Sequence, residues 1–233
     1  MKSLIIIPTY NEKDNIVALL KAIRMLLPST LITVVDDNSP DGTAAIVELI
    51  TKKDKQISLI KRQGKGGRGS AVVRGFSEGL KNKNISHFIE MDSDFSHDPK
   101  ELSKILILAK NHDVVLASRY LKSSKIVNWP VERRIFSFLA NLFAKLILWV
   151  PIVDYTNGYR CYSREVLEEI NLSKIRETGY AVLMEMIFLV HKLGFDINQV
   201  TTIFVNRKKG KSNTSIKEIV NALCAPLRIR INH

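Results

Sequence analysis

The sequence predicts an α/β fold: a mostly parallel central sheet flanked by helices on both faces. Three observations carry that expectation. Short apolar runs of strand length alternate with amphipathic runs of helix length along the first half of the chain. No linker rich in Pro, Gly or Ser, internal repeat or low-complexity tract divides the 233 residues, a length that can bury one sizeable core. Polar clusters fall just behind the strand-like runs, where ligands of such sheets gather.

The elements follow in order. "SLIII" (3–7) reads as a buried strand and "NEKDNIVALLKAIRMLL" (11–27) as a helix capped by Asn11. "LITVV" (31–35) is a second strand ending in "DDNSPDGT", and "AAIVELITKK" (44–53) a second helix. "ISLIK" (57–61) leads into a glycine-rich loop and a helix over 69–81. "HFIEM" (87–91) is the fourth strand. Asp98 and Pro99 suit the N-cap and first position of a helix continuing through "KELSKILILAK", and "DVVLAS" (113–118) is a fifth strand. "RRIFSFLANLFAKLILWVPIV" (133–153) is the most hydrophobic stretch. Its length approaches that of a membrane span, but Lys145 interrupts it, Arg133 and Arg134 begin it, and Trp129 and Trp149 flank it. The expectation is an interfacial helix with both tryptophans at headgroup level, rather than a buried one.

Composition excludes little. Hydrophobic content of 45% and charged content of 25% are those of a globular domain. Cys161 and Cys224 form no close-spaced metal motif, and two cysteines without a signal peptide suggest reduced thiols in a cytosolic setting. The 35 basic against 23 acidic residues give a net charge of +12, which suits nucleic acid, an anionic membrane or a phosphorylated ligand. Basic residues cluster in "KRQGKGGRGSAVVR" (61–74) and "RKKGK" (207–211), both glycine-bearing, so backbone amides are available to an anion too. "GKGGRG" lacks the Gly-Lys-Ser/Thr ending of a Walker loop and does not follow the first strand, which argues against mononucleotide hydrolases and NAD enzymes.

In "MDSDFSHDP" (91–99), Asp92 and Asp94 lie two apart, on one face of an extended segment. Two like charges there repel unless a cation or a shared proton sits between them. Asp98 is needed as a cap, and His97 reads as a turn residue. An oxygen-only pair suits a hard cation, and the absence of a His/Cys cluster argues against zinc.

"IIIPTYNEKDNI", "VVDDNSPDGT", "MDSDFSHDP" and "ASRY" together resemble the family 2 inverting glycosyltransferases. Within them, "VDYTNGYRCYSREVL" (153–167), "GYAVLMEMIFLVHKLGFDINQV" and "FVNRKKGKSN" are similar to elements of the dolichol- and polyprenol-phosphate mannosyltransferases. The resemblance runs from residue 3 to about residue 222. It implies a GT-A (Rossmann-like) nucleotide-sugar-binding fold over 1–233 as a single catalytic domain, with the interfacial helix at about 133–150. It implies transfer of mannose from GDP-mannose to a dolichyl or polyprenyl phosphate. Pro8, Tyr10, Glu12 and Asp37 match positions that hold base and ribose. Asp92 and Asp94 match the metal and diphosphate site for Mg²⁺ or Mn²⁺, with Ser96 close to the metal. Arg119, Arg133 and Arg207 match positions that handle donor and acceptor phosphates, and with Asp94 form the expected catalytic set. An acceptor phosphate is already anionic, so no dedicated base is required; Glu185, in the region where relatives with hydroxyl acceptors carry one, is either a site residue or a packing Glu.

The implied location is cytoplasmic, peripheral on the cytoplasmic face of a membrane. The membrane surface, and a membrane-anchoring subunit, are the implied partners, and nucleic acid is not one. No segment after residue 222 can span a bilayer, which fits either a soluble type or a truncated chain. Two departures stand out: Asn213 replaces a usual lysine, with Lys209, Lys211 or Arg68 as substitutes, and Asn157 stands where relatives carry Gly or Ser. The alternatives are another nucleotide sugar, such as UDP-glucose, or another acceptor. A non-catalytic RNA- or membrane-binding module would explain the charge but not the carboxylates at strand ends.

Overall fold

The computed structural model describes residues 2–207 and 216–233. The chain runs β1 (Ser3–Thr9), α1 (Lys13–Leu26), β2 (Leu31–Asp36), α2 (Thr43–Lys53), β3 (Ile57–Lys61), α3 (Arg68–Leu80), β4 (His87–Glu90) and α4 (Leu102–Leu108). It continues through β5 (Val114–Ser118), β6 (Lys125–Val127), α5 (Val131–Leu148), β7 (Arg160–Ser163), α6 (Arg164–Glu169), α7 (Ala181–Lys192), β8 (Ile197–Thr201), β9 (Ile203–Val205) and α8 (Ile216–Asn232). Seven strands form one sheet in the order β3-β2-β1-β4-β7-β5-β8, and β6 pairs with β9 in a small parallel ribbon. All neighbours in the large sheet are parallel except β7, which lies antiparallel between β4 and β5.

Side-chain alternation along β1 builds a core on each face. Ile5 and Ile7 pack with Ile16, Leu19 and Ile23 of α1 and with Leu102 and Ile105 of α4. Leu4 and Ile6 pack into the opposite core, with Val72 and Phe76 of α3 and the apolar side chains of α7. Because β1, β2, β3 and β4 run parallel, the loops behind them emerge on one edge of the sheet, which is where the polar motifs fall.

Three local expectations need correction. Helix α1 begins at Lys13 with Glu12 at its N-cap, and Asn11 takes a left-handed conformation (φ 59). The Asn11 and Glu12 amides find partners across the fold, in Ser39 Oγ (2.9 Å) and Thr43 Oγ1 (3.0 Å), so no Asn side-chain cap is needed. Asp98 caps as expected, accepting from the Lys100 amide at 3.0 Å, but the first turn (Pro99–Glu101) is 3₁₀ and α4 proper starts at Leu102. Trp129 is buried, whereas Trp149 is 74% exposed. Only Trp149 is therefore placed to meet a headgroup layer.

Helix α5 buries Asn141, Ala144 and Leu148 and packs beside α8. Ile135, Phe138, Leu139, Leu142 and Leu146 on it remain exposed. Among the described residues, no helix is long and apolar enough to cross a membrane.

Candidate active site

Two clefts adjoin at the carboxyl edge of the sheet. The first, with about 690 Å³ of free space, is lined by Pro8, Tyr10 and Glu12 behind β1, Asp37 behind β2, and Asp92 and Asp94 behind β4, with Arg68, Tyr180 and Arg207. The second, of about 1280 Å³, is lined by Arg119, Arg133 and Trp129 at one side and by Phe136, Ala140, Met184, Phe204 and Leu223 elsewhere. Asp92 and Tyr180 belong to both. They form the shared wall.

"DDNSPDGT" divides by role. Asp36 accepts from Thr9 Oγ1 (2.9 Å) and from the hydroxyl and amide of Ser39, and so ties the ends of β1 and β2 together. Asp41 accepts from the Lys13 and Thr43 amides. Asp37 alone of the three faces the cleft, accepting from Arg62 (2.5 Å) and from the Gly67 amide (2.8 Å). Gly67 has φ +85, a conformation natural to glycine, and it turns the glycine-rich loop back toward Asp37. Burial pushes the Asp37 carboxyl above its ordinary range despite Arg62, and burial raises Glu12 as well.

Each member of the carboxylate pair carries an arginine. Arg68 Nε donates to Asp92 Oδ1 at 2.7 Å, and Arg207 lies 3.0 Å from Asp94 Oδ2 and 3.9 Å from Glu12 Oε1. Burial would raise Asp92, but the Arg68 and other neighbouring charges outweigh it, and its pKa is lowered. Ser96 is not among the residues lining the cleft; its amide donates to Asp94 Oδ1 at 3.0 Å and steadies that carboxylate.

His97 is more than a turn residue. It is fully buried and stacks on Tyr159 at 4.8 Å. Its Nδ1 accepts the Asp92 amide (3.0 Å), so the proton sits on Nε2, which donates to Asn157 Oδ1 at 2.8 Å. Asn157, one of the two departures noted in the sequence, thus fixes the imidazole that holds Asp92. The "HDP" stretch gave the position, but nothing local announced this contact 60 residues away.

Arg119 does not offer its fork to the second cleft. Nε and one terminal amine bind Asp154 at 2.8 and 2.7 Å, and the same amine reaches Thr156. A buried carboxylate needs such a partner, so the fork is committed and Arg119 contributes charge. Arg133 stacks over Trp129 at 4.1 Å and donates to Asn206. Its pKa is pushed down by burial, with the like charges of Arg119 and Arg207 adding to the effect. A half-buried guanidinium crowded by like charge is suited to an anion. The three arginines therefore group in two places: Arg119 and Arg133 in one cleft, Arg207 in the other.

Glu185 is fully buried and accepts from the Arg176 and Glu177 amides and from His233. It anchors the loop before α7, as a packing Glu does. Asn213, Lys209 and Lys211 lie outside the described residues.

An open α/β sheet with a carboxylate pair and clustered arginines at its strand ends has the architecture of a glycosyltransferase. Residues 4–171 match the family described as Glycosyl transferase family 2. The chain belongs to that family. It is 37% identical over 224 residues to a polyprenol monophosphomannose synthase of Mycolicibacterium smegmatis, covering 95% of this chain and 84% of the relative. It is 36% identical over 215 residues to an undecaprenyl-phosphate mannosyltransferase of Micrococcus luteus, covering 92% and 88%. The fold matches a crystal structure of glucosyl-3-phosphoglycerate synthase from Mycobacterium tuberculosis in complex with Mn²⁺, UDP and glucosyl-3-phosphoglycerate. The TM-score is 0.70 at 18% identity, over 99% of this chain and 80% of that one. The fold is thus GT-A-like, as expected.

Proposed function

We propose that the protein transfers mannose from GDP-mannose to a polyprenyl phosphate with inversion, giving polyprenyl phosphate mannose. The observation that carries this reading is the pair of adjoining clefts: one polar and carboxylate-lined, the other largely apolar with Arg119 and Arg133 at its side. The relatives named for polyprenol and undecaprenyl phosphate support the lipid and the sugar.

In the polar cleft, Pro8, Tyr10, Glu12 and Asp37 receive base and ribose. A carboxylate acceptor at Asp37 suits the adjacent ring N–H and amino donors of guanine. Asp92 and Asp94 offer only oxygen donors, and no group of three or more His, Cys, Asp or Glu that could hold a metal occurs among the described residues. That donor set fits Mg²⁺ or Mn²⁺, which leave coordination positions for diphosphate oxygens. When bound, the cation would stabilise the charge that develops on the departing diphosphate. Ser96 supports the site by holding Asp94 through its amide.

In the apolar cleft, Arg133 orients the acceptor phosphate with its planar fork and Arg119 supplies field. Arg207, beside Asp94, stands at the donor diphosphate. The acceptor oxygen attacks across the wall formed by Asp92 and Tyr180, so one displacement inverts the anomeric centre and needs no separate base. The whole chain acts as one catalytic domain, with the exposed face of α5 resting on the cytoplasmic surface of a membrane, alone or with an anchoring subunit.

The test is incubation of the purified protein with GDP-mannose or UDP-glucose, Mg²⁺ or Mn²⁺, and a panel of polyprenyl phosphates. Lipid-dependent release of GDP is expected. Release of UDP alone, or turnover with hydroxyl acceptors but not lipid phosphates, would replace the proposal with the corresponding alternative.

A further inference from the structure

Arg68 opens α3 and reaches across the donor cleft with three bonds of different kinds. Nε donates to Asp92 (2.7 Å), one terminal amine to Glu90 (2.8 Å) and the other to the Gly158 carbonyl (2.9 Å). Its side chain is 11% exposed, that of Asp92 23%, and that of Glu90 is wholly buried. Glu90 also accepts from Tyr162, but Arg68 is the cation paired with it. A guanidinium bound to a buried carboxylate on one arm and a carbonyl on another cannot swing away from Asp92 at small cost. Arg207 differs. Its terminal nitrogens lie 3.0 Å from Asp94 and 3.9 Å from Glu12, both carboxylates of the cleft itself, and its side chain is 24% exposed, so it stands where an arriving anion meets it.

We infer that Arg68 is a resident counter-cation of the donor cleft, a positioning residue that holds Asp92 and keeps the pair's affinity for a divalent cation low until a nucleoside diphosphate arrives. The inference rests on the metal assignment proposed above. Glu12, Asp37, Asp92 and Asp94 line the cleft together with Lys65, Arg68 and Arg207, so its charge is largely balanced before any ligand enters. A divalent cation entering alone meets a fixed positive charge on one of its two carboxylates. A diphosphate brings the negative charge that tips the balance. Two unit charges about 4 Å apart at an effective dielectric near 20 alter affinity by up to roughly a thousandfold, and solvent access reduces that to about tenfold. Asp94, whose arginine is the more exposed of the two, is then the principal carboxylate toward the cation, and Asp92 the secondary one.

The experiment is titration of the purified protein with Mn²⁺ in the absence of nucleotide, with free Mn²⁺ followed by electron paramagnetic resonance. Arg68→Met combined with Glu90→Gln removes the wholly buried carboxylate together with its cation, and leaves the partly exposed Asp92 to solvent and to the metal, so that folding is preserved. It should bind Mn²⁺ about tenfold more tightly than the parent protein, with the gap narrowing once GDP is added. Arg68→Lys keeps the charge and should stay within about threefold of the parent. A merely structural Arg68 would give unchanged or weaker Mn²⁺ binding in the double variant, and that result overturns the inference. Asp94→Asn should abolish binding in every background. If it does not, the metal assignment itself falls, and the inference with it.

Discussion

Among the described residues, Arg160 forms no ion pair with a carboxylate, although its charge helps to lower the Asp154 pKa. It is fully buried, and its guanidinium donates to the carbonyls of Asn157 (2.8 Å), Tyr155 (2.8 Å) and Leu183 (2.6 Å), stapling the 153–160 segment to α7. Lysine cannot span three acceptors. Arg160→Lys should therefore cost about 3 kcal/mol in a denaturant titration, with activity falling only as the folded fraction falls. His97 should behave oppositely. His97→Ala releases the Asp92 amide and should lower kcat/KM by roughly 10- to 100-fold with a smaller loss of stability. His97→Asn, whose Oδ1 stands near the former Nδ1, should recover part of the rate. An unaltered rate in His97→Ala would show that the Asp92 turn holds itself. At this scale the sequence pointed to Asp92 and Asp94 because both stand in one short motif. The chain there bends behind β4 instead of running extended, and it is the bend that turns both toward the cleft. The sequence could not reveal what Arg68, His97 and Asn157 do, because those contacts exist only once α3, β4 and the 153–160 segment have met.

Helix α3 lies unusually close to the sheet. A methyl at Gly75 would stand 2.6 Å from Ile6 Cγ2, inside any tolerable contact. Gly75→Ala should cost about 1–3 kcal/mol by forcing α3 off β1, readable as a lowered Tm. For α5 the expected change is chemical. Arg133→Lys keeps the charge but loses the fork, and should reduce transfer to lipid phosphate while leaving GDP-mannose binding little altered. If Arg133→Lys is normal and Arg134→Lys fails, Arg134 is the residue that holds the acceptor phosphate. If both are normal, α5 does not deliver the acceptor. The parallel elements up to β5 were legible because alternation between strand and helix periods is strong there. β7 was not: "RCYS" has no apolar run, and its partners in β4 lie some 70 residues away in the chain. Propensity carries no trace of such a pairing.

Acid sensitivity is a property of the whole molecule with a traceable sign. Burial would raise the Asp154 carboxyl, but Arg119 outweighs it and the pKa is lowered, as Asp92 is lowered by Arg68. Such groups contribute stability that is fully present above the unfolded carboxylate pKa of about 4 and is lost as pH falls through the lower folded value. Glu12 and Asp37, both raised, act in the opposite sense just above that range. Denaturant midpoints should accordingly hold down to about pH 4 and fall below it, with a shallower fall in Asp154→Asn from a lower starting stability. A midpoint independent of pH down to 2 would contradict these charge pairings.

The wall of Asp92 and Tyr180 that divides the clefts has a kinetic consequence. In the proposed reaction, with the acceptor's tail on one side and the nucleotide on the other, the two products would depart by separate exits. On that proposal GDP would leave, and GDP-mannose replace it, without the lipid vacating its groove. GDP should compete with GDP-mannose but act as a noncompetitive inhibitor against polyprenyl phosphate. Competition with both would mean a single shared doorway.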